Sequence, residues 1–229
     1  MRVLHASGVE GARQARGLVV VIDVLRAFTV AAHALAGGAR ECLLVATVDE
    51  ALTLAAGLPD AVVSAEVEGL PVPGIEISNS PTQIRAADLR GRTLIQRTSA
   101  GTQGVVAARS AGAILAASLV VASATAREIA RRRCESVTMV AMGEDAGQVE
   151  DRACGIYMEG LLADRPPDQA ALQRLLAPLR ASDRYRRVMA GGWPGFPPGD
   201  LELSLRPDVF QFAMPVTREG GLLRLRALR

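Results

Sequence analysis

The residues best suited to chemistry in this 229-residue chain are acids, hydroxyls and arginines that follow predicted strands. Asp23 and Arg26 come directly after the apolar run 18–22, and Glu66 follows the run 61–65. In open parallel sheets, ligands bind beyond the carboxyl ends of the strands. We therefore expect these side chains to converge on one site.

A hydroxyl-rich segment after the predicted strand 93–96 forms a second group. It contains Thr98, Ser99, Gly101 and Thr102. Such a segment at the start of a helix can hold a phosphate through backbone N–H groups and the helix dipole. The same residues also suit an ordinary helix start, and the sequence leaves both interpretations open.

Acids recur around the predicted strand 137–142. Glu144 and Asp145 follow it, and Glu150 and Asp151 enter the next helix, where acids are favourable even without a function. Taken with the acids after the earlier strands, these residues form an oxygen-rich set, and oxygen ligands are those that Mg²⁺ prefers. An arginine among them suits a phosphate or a second anion.

The only asparagine of the chain, Asn79, precedes Ser80 and Pro81. Ser80 as a helix cap and Pro81 in the first turn would explain this segment without any chemistry.

Missing residue types narrow the chemistry. The chain has no lysine, so Schiff-base and P-loop lysine mechanisms are excluded, and its two histidines, His5 and His33, make a zinc cluster or a Ser-His-Asp triad improbable. His33 lies within a predicted helix among alanines, which favours a structural role. A net charge of +2 and 3% aromatic residues argue against nucleic-acid binding.

Predicted strands and helices alternate along the chain, which predicts a three-layer α/β/α fold with a mainly parallel sheet. The units 18–69 and 92–143 share an apolar pattern, which predicts an internal duplication of a βαβαβ unit, although generic βαβ spacing would give a similar pattern. We expect one α/β domain over 1–229, with a C-terminal extension at 164–229. That extension is predicted to contain strands at 208–212 and 222–228.

No segment has the length of a membrane span or the pattern of a signal peptide. The three cysteines are odd in number and lie in or beside apolar segments. These features predict a cytoplasmic protein with reduced cysteines and no membrane partner. The sequence leaves a homo-oligomer open.

Four motifs resemble one family in the right order. They are VIDVLRA at 21–27, PGIEISNSP at 73–81, TSAGTQG at 98–104 and Glu150-Asp151 followed by Cys154. Together they cover about residues 18–163 and resemble the 2-phosphosulfolactate phosphatases.

The resemblance implies a Mg²⁺-dependent enzyme that hydrolyses a small phosphorylated molecule. It implies catalytic roles for Asp23, Arg26, Asn79 and Ser80, and phosphate binding by Arg26, Thr98, Ser99, Gly101 and Thr102. It implies metal binding by Asp23, Glu66 and Asp151.

The chain departs from the family pattern at several positions, including Glu76, which replaces an aspartate. Val67 and Glu68 stand where the family has an arginine and a glycine, and Ala100 stands where an asparagine is frequent. These departures predict a substrate less anionic than phosphosulfolactate, unless Arg97 reaches the site. A non-catalytic protein that binds a phosphorylated metabolite is the alternative.

Overall fold

A ten-stranded sheet runs through residues 1–143 and 149–229, the parts of the chain that the computed structural model describes. In chain order the strands are β1 (Arg2–Ser7), β2 (Gly17–Ile22), β3 (Glu41–Leu44), β4 (Ala61–Val67), β5 (Leu70–Pro71), β6 (Thr93–Arg97), β7 (Ala111–Ala117), β8 (Ser136–Ala141), β9 (Met214–Glu219) and β10 (Leu222–Leu225). In space the strand order is β1-β8-β2-β7-β9-β10-β3-β6-β4-β5.

The helices lie between the strands, and four of them follow one another between β8 and β9. They are α1 (Gly8–Gln14), α2 (Ala27–Ala36), α3 (Val48–Ala56), α4 (Pro81–Ala86), α5 (Gly101–Ala107), α6 (Ala122–Arg131), α7 (Val149–Leu162), α8 (Gln169–Arg180), α9 (Asp183–Met189) and α10 (Pro198–Ser204). In the described ranges, no helix has both the length and the apolar content needed to cross a membrane.

Side-chain alternation along β2 shows why helices cover both faces of the sheet. Val19 and Val21 pack in one core with Phe28 of α2. Val20 packs in a second core with Met158 of α7. Because successive side chains of a strand point to opposite faces, a strand that is apolar throughout needs cover on both sides. The predicted three-layer α/β fold is confirmed.

The sheet consists of two parallel groups joined by a hairpin. Strands β1, β8, β2 and β7 are parallel to one another, and so are β3, β6 and β4. The antiparallel hairpin β9–β10 lies between the groups, pairing with β7 on one side and β3 on the other. The C-terminal segment is therefore built into the sheet, and the sheet is mainly parallel, as predicted.

Three antiparallel steps separate the groups, so β6 runs opposite to β2 along the ladder. Neighbouring strands also rotate by about 20–25° each, so the five steps from β2 to β6 add more than about 100° of twist. The loops that follow β2 and β6 still meet, because Gln96 at the end of β6 donates to the carbonyl of Ala27 at 2.8 Å.

The strand order interleaves the two units predicted to be duplicates. β2 of the first unit lies between β7 and β8 of the second, and β6 of the second lies between β3 and β4 of the first. Each parallel group therefore contains strands of both units. The duplication itself stays a prediction.

Two parts of the chain differ from the predicted elements. The first 14 residues, for which no element was predicted, form β1 and α1. The strand predicted at 208–212 is wrong, because β9 begins only at Met214. Asp208 has a positive φ of 58°, and its carboxylate accepts from the Ser123 N–H at 2.7 Å. A left-handed residue used as a cap for another helix cannot continue a strand.

Candidate active site

A cavity of about 440 Å³ opens among the loops that follow β2, β4 and β6. Its lining combines acids, two arginines, small polar groups and aromatic rings. The lining residues are Asp23, Leu25, Arg26, Glu66, Glu68, Gly69, Asn79, Ser99, Ala100, Gly143, Arg184, Trp193 and Phe196.

Asp23 is positioned by the end of β2 and the start of α2. Its backbone N–H donates to the carbonyl of Ala117, which extends the ladder with β7. Its Oδ1 accepts from the Ala27 N–H at 3.0 Å. Its Oδ2 lies so near Gly101 that a Cβ there would come within 2.7 Å of it. Glycine at position 101 is therefore required for the helix α5 to approach this carboxylate.

Burial raises the pKa of Asp23 to about 6, and the Glu66 and Glu150 carboxylates act in the same direction. The Ala27 N–H opposes this shift. A buried carboxylate among other acids favours a proton or a cation, because its charge has lost its hydration.

Glu66 joins two loops of the site through both carboxylate oxygens. Its Oε1 accepts from the Ser99 N–H, and its Oε2 accepts from the Gly69 N–H at 2.6 Å and the Ser99 hydroxyl at 3.2 Å. The carboxylate therefore ties the β4–β5 turn to the segment after β6. Oε1 accepts only one hydrogen bond and keeps a second lone pair, so contact with a cation remains chemically feasible there.

Arg26 lies 3% exposed at the inner end of the cavity. Its guanidinium donates to the Asp200 carboxylate at 2.9 Å and to the Gly195 carbonyl, and it stacks 3.9 Å from the ring centre of Phe196. Burial lowers the pKa of Arg26, while the bond to Asp200 raises it. The orientation of this cation is thus set by three groups of the C-terminal segment.

Asp200 also organises the segment around Ser80. Its Oδ1 accepts from the Ser80 hydroxyl at 2.8 Å and from the Thr82 N–H at 3.0 Å. Ser80 caps α4 by accepting from the Gln83 N–H. Ser80 is fully buried and absent from the cavity lining, so the structure places it behind the cavity wall.

Asp151 does not line this cavity either. Its Oδ1 accepts from the Val24 N–H at 2.7 Å, and its Oδ2 accepts from the N–H groups of Met142 and Gly143 at 3.1 and 3.0 Å. Burial raises its pKa well above the usual range, as do the Glu150 and Asp23 charges. The carboxylate joins the ends of β2 and β8 to α7.

Glu150 and Arg184 form a half-buried pair beside the cavity. Arg184 of α9 donates to Glu150 Oε1 at 3.0 Å and to the Leu25 carbonyl at 3.2 Å. Burial raises the pKa of Glu150, while Arg184 lowers it. Glu144 and Asp145, predicted to join these acids, lie outside the described residues.

The hydroxyl-rich segment divides into two parts. Thr98 and Thr102 are buried, and they bond to each other: the Thr98 N–H donates to Thr102 Oγ1 at 2.8 Å, and the Thr102 N–H donates to Thr98 Oγ1 at 3.0 Å. Ser99 and Ala100 face the cavity. The threonine hydroxyls therefore stabilise the turn that presents Ser99.

The structure thus brings five of the predicted site residues to one cavity, namely Asp23, Arg26, Asn79, Glu66 and Ser99. Ser80, Thr98, Thr102 and Asp151 support that cavity from behind, and Gly101 packs against Asp23. Arg184, Trp193, Phe196 and Asp200 were not anticipated. They lie between 161 and 177 residues from Asp23 in the chain, in a region where the sequence shows no motif.

Arg97 does not reach the cavity. Its guanidinium donates to the carbonyls of Glu66 and Ala46 and to the Ser99 hydroxyl. Arg97 therefore does not supply the positive charge that is missing at Val67, because its guanidinium holds the loops together. Glu68, in contrast, does line the cavity.

Metal binding at the cavity depends on the side chains that could serve as ligands. Among residues 1–143 and 149–229, no group of three or more His, Cys, Asp or Glu is arranged to hold one. Mg²⁺, however, is often bound by one or two carboxylates and completed by waters and substrate phosphate. Asp23 and Glu66, two acids on one cavity, fit that mode of binding, whereas Asp151 does not line the cavity.

Comparisons with known proteins identify the family of this chain. A family model described as 2-phosphosulpholactate phosphatase matches residues 4–185. A probable 2-phosphosulfolactate phosphatase of Bacillus subtilis is 28% identical over 201 residues, 88% of this chain and 87% of that protein.

Two further relatives carry the same description and are more similar over a shorter stretch. The Deinococcus radiodurans protein is 36% identical over 149 residues, 64% of this chain and 62% of that protein. The Carboxydothermus hydrogenoformans protein is 35% identical over 147 residues, 64% of this chain and 61% of that protein. Because the family match spans most of the chain, this chain belongs to the 2-phosphosulpholactate phosphatase family.

Proposed function

We propose that this protein is a Mg²⁺-dependent phosphatase that hydrolyses a small anionic phosphomonoester, 2-phosphosulfolactate or a related phospho-hydroxyacid. The observation that carries the proposal is the convergence of Asp23, Glu66 and Arg26 on one cavity. The family match and the relatives named as probable 2-phosphosulfolactate phosphatases support the reaction class.

Asp23 and Glu66 are the residues that would hold Mg²⁺. A bound Mg²⁺ would polarise a phosphoryl oxygen and lower the pKa of an attacking water. The raised pKa of Asp23 supports this assignment, because the ionised carboxylate of a buried cluster gains most from a cation nearby.

Arg26 and the turn at Ala100 would bind the phosphoryl group. Phosphoryl transfer spreads charge over three equatorial oxygens, so fixed donors aimed at that group lower the barrier. The clamp by Asp200 fixes Arg26 before the substrate arrives. Within the described residues, the N–H groups of Ala100 and Gly101 have no acceptor, whereas those of Ser99 and Thr102 already donate to Glu66 and Thr98.

Water is the proposed nucleophile. The Ser99 hydroxyl contacts Glu66 and accepts from the N–H of Glu68 and from Arg97, so the groups around it use its lone pairs. Neither histidine of the chain lines the cavity. A covalent seryl intermediate would need an adjacent base, and the carboxylate beside Ser99, that of Glu66, already accepts from the N–H groups of Ser99 and Gly69.

The cavity favours a substrate less anionic than phosphosulfolactate. Its two arginines, Arg26 and Arg184, are each bonded to a carboxylate, and Glu68 adds an opposing charge. A charge-assisted arginine contact contributes about 1.5–3 kcal/mol, or one to two powers of ten in affinity. We expect kcat/KM on phospholactate to equal or exceed that on phosphosulfolactate. A hundredfold preference for phosphosulfolactate would overturn this expectation.

Phosphate release tests the function directly. Purified protein should release phosphate from phospholactate or phosphosulfolactate with Mg²⁺ and lose this activity in EDTA, and added Mg²⁺ should restore it. Thermal-shift titrations with the same compounds provide the contrast. Stabilisation without phosphate release in Mg²⁺, Mn²⁺ or Ca²⁺ would instead indicate a protein that only binds the phosphorylated metabolite.

A further inference from the structure

Part of the cavity wall comes from residues 191–200, beyond the end of the family match at residue 185. Trp193 and Phe196 of this segment line the cavity together with Leu25. The two rings pack edge to face, with their centres 6.3 Å apart. A segment outside the family match therefore adds an apolar wall to a site that is otherwise acidic and polar.

Trp193 is held firmly in that wall. Its indole N–H donates to the Gly69 carbonyl at 3.1 Å, and the Arg187 guanidinium lies 4.9 Å from its ring centre. Gly69 has a φ of +77°, and a Cβ there would come within 3.3 Å of the indole. The Gly69 N–H in turn binds Glu66, so the ring rests on the same turn that positions a proposed metal ligand.

The cavity has a polar part and an apolar part, and together they favour a ligand with a phosphoryl group and a hydrocarbon group. A phosphoryl group fits the part lined by Asp23, Glu66 and Arg26. An ionised group next to Trp193 and Phe196 would lose its hydration against rings that offer it no hydrogen bond, which is costly. The two guanidinium groups of the lining, those of Arg26 and Arg184, already bond to the carboxylates of Asp200 and Glu150. A short hydrocarbon group would gain from burial there.

On the basis of the proposed phosphatase function, we propose that Trp193 is a specificity-determining residue that selects phosphomonoesters with a short hydrocarbon substituent on the alcohol carbon. Phospholactate, with its methyl group, belongs to this class. Phosphoglycolate lacks the substituent, and phosphosulfolactate carries a sulfonate in its place.

A series of phosphorylated 2-hydroxy acids tests this inference. We expect kcat/KM to rise about three- to fourfold per added methylene from phosphoglycolate through phospholactate to phosphorylated 2-hydroxybutyrate, the usual worth of a buried methylene. Trp193→Ala should reduce this rise to less than about 1.5-fold per methylene. Trp193→Phe keeps a ring but loses the bond to Gly69, so it should retain most of the rise.

Fluorescence gives a readout that does not depend on turnover, because Trp193 is the only tryptophan of the chain. In the presence of Mg²⁺, a non-hydrolysable phosphonate analogue of phospholactate should change the emission. Inorganic phosphate, which lacks the hydrocarbon group, should change it much less.

The outcomes separate the two proposals. Hydrolysis with a flat series, or an equal loss on all substrates in Trp193→Ala, would overturn the role of Trp193 and leave the phosphatase proposal intact. Absence of any hydrolysis, with a fluorescence change that grows with the hydrocarbon group, would overturn the phosphatase proposal and support the apolar wall. An equal change in Trp193 emission with inorganic phosphate and with the phosphonate analogue would also contradict the proposed role of the apolar wall.

Discussion

Asp23 and Asp151 are both buried carboxylates, and they lie 128 positions apart in the chain. They differ in the groups that surround them. One oxygen of Asp23 accepts from a backbone N–H, and the residue lines the cavity. The two oxygens of Asp151 accept from three backbone N–H groups, and the residue does not line the cavity. Asparagine has nearly the same shape as aspartate, so the same substitution at both positions separates chemistry from support.

For Asp23→Asn, we expect kcat/KM to fall at least about a hundredfold with little loss of stability, since the amide oxygen still accepts from Ala27. For Asp151→Asn, we expect the free energy of unfolding to fall by about 1–3 kcal/mol, since an N–H₂ group would face N–H donors. Urea unfolding measures the stability of each variant, and the rate of phosphate release at several Mg²⁺ concentrations measures its activity. Full activity in Asp23→Asn would contradict the proposed role of Asp23 as a metal ligand. If Asp151→Asn is stable but needs more Mg²⁺ for activity, Asp151 is a metal ligand after all.

The pKa of Asp23 also predicts a pH dependence of stability. With a pKa of about 6 in the folded protein against 3.8 as the ordinary value, the folded state binds the proton more strongly. The free energy of unfolding should therefore fall as pH rises from about 4 to about 6, by about 3 kcal/mol from this group. Asp23→Asn should lack that contribution. Urea titrations of metal-free protein at pH 4.5 and 7 compare the two, and identical pH dependences would contradict the shift.

At the scale of elements, α10 acts on the site through Asp200. This carboxylate, fully buried, joins α10 to the start of α4 and to Arg26. Removing one member of a buried ion pair leaves an uncompensated charge, whereas replacing both by apolar residues is often neutral.

We expect Asp200→Ala to lower the free energy of unfolding by about 3–5 kcal/mol and to lower activity. The double variant Arg26→Met, Asp200→Leu should recover much of that stability while staying inactive. Chemical denaturation and phosphate release give the two readouts. An active double variant would show that the Arg26 guanidinium is not needed for the reaction.

At the scale of the whole molecule, the hairpin β9–β10 holds the two parallel groups together. Met214 and Leu225 are fully buried in the core that both groups share. Without the hairpin, β7 and β3 would each expose an unpaired edge beside an open core.

A chain that ends at residue 213 should therefore fail to fold or should aggregate, whereas a chain that lacks only Arg229 should behave like the wild type. Circular dichroism and size-exclusion chromatography compare the two. A truncated chain that stays monomeric with a cooperative unfolding transition would show that the hairpin is dispensable.

Local patterns were enough to predict most of the elements and the chemistry of the site. The apolar run before Asp23 predicted β2, and the Ser80 cap predicted the start of α4, where its hydroxyl accepts from the Gln83 N–H. Both signals lie within a few residues of the feature they predict. The acids, the hydroxyl-rich turn and the family resemblance were likewise visible in contiguous motifs, because short-range spacing specifies turns and strand ends directly.

Only the tertiary structure decided which of those polar groups share a cavity. Thr98, Ser80 and Asp151 carry the same functional groups as Ser99 and Asp23, and they differ only in the backbone N–H groups and side chains packed around them. The Asp200 clamp and the Trp193 wall come from more than 100 residues away. The C-terminal hairpin is likewise inserted in the middle of the sheet, and pairing between strands so distant in the chain leaves no local pattern in the sequence.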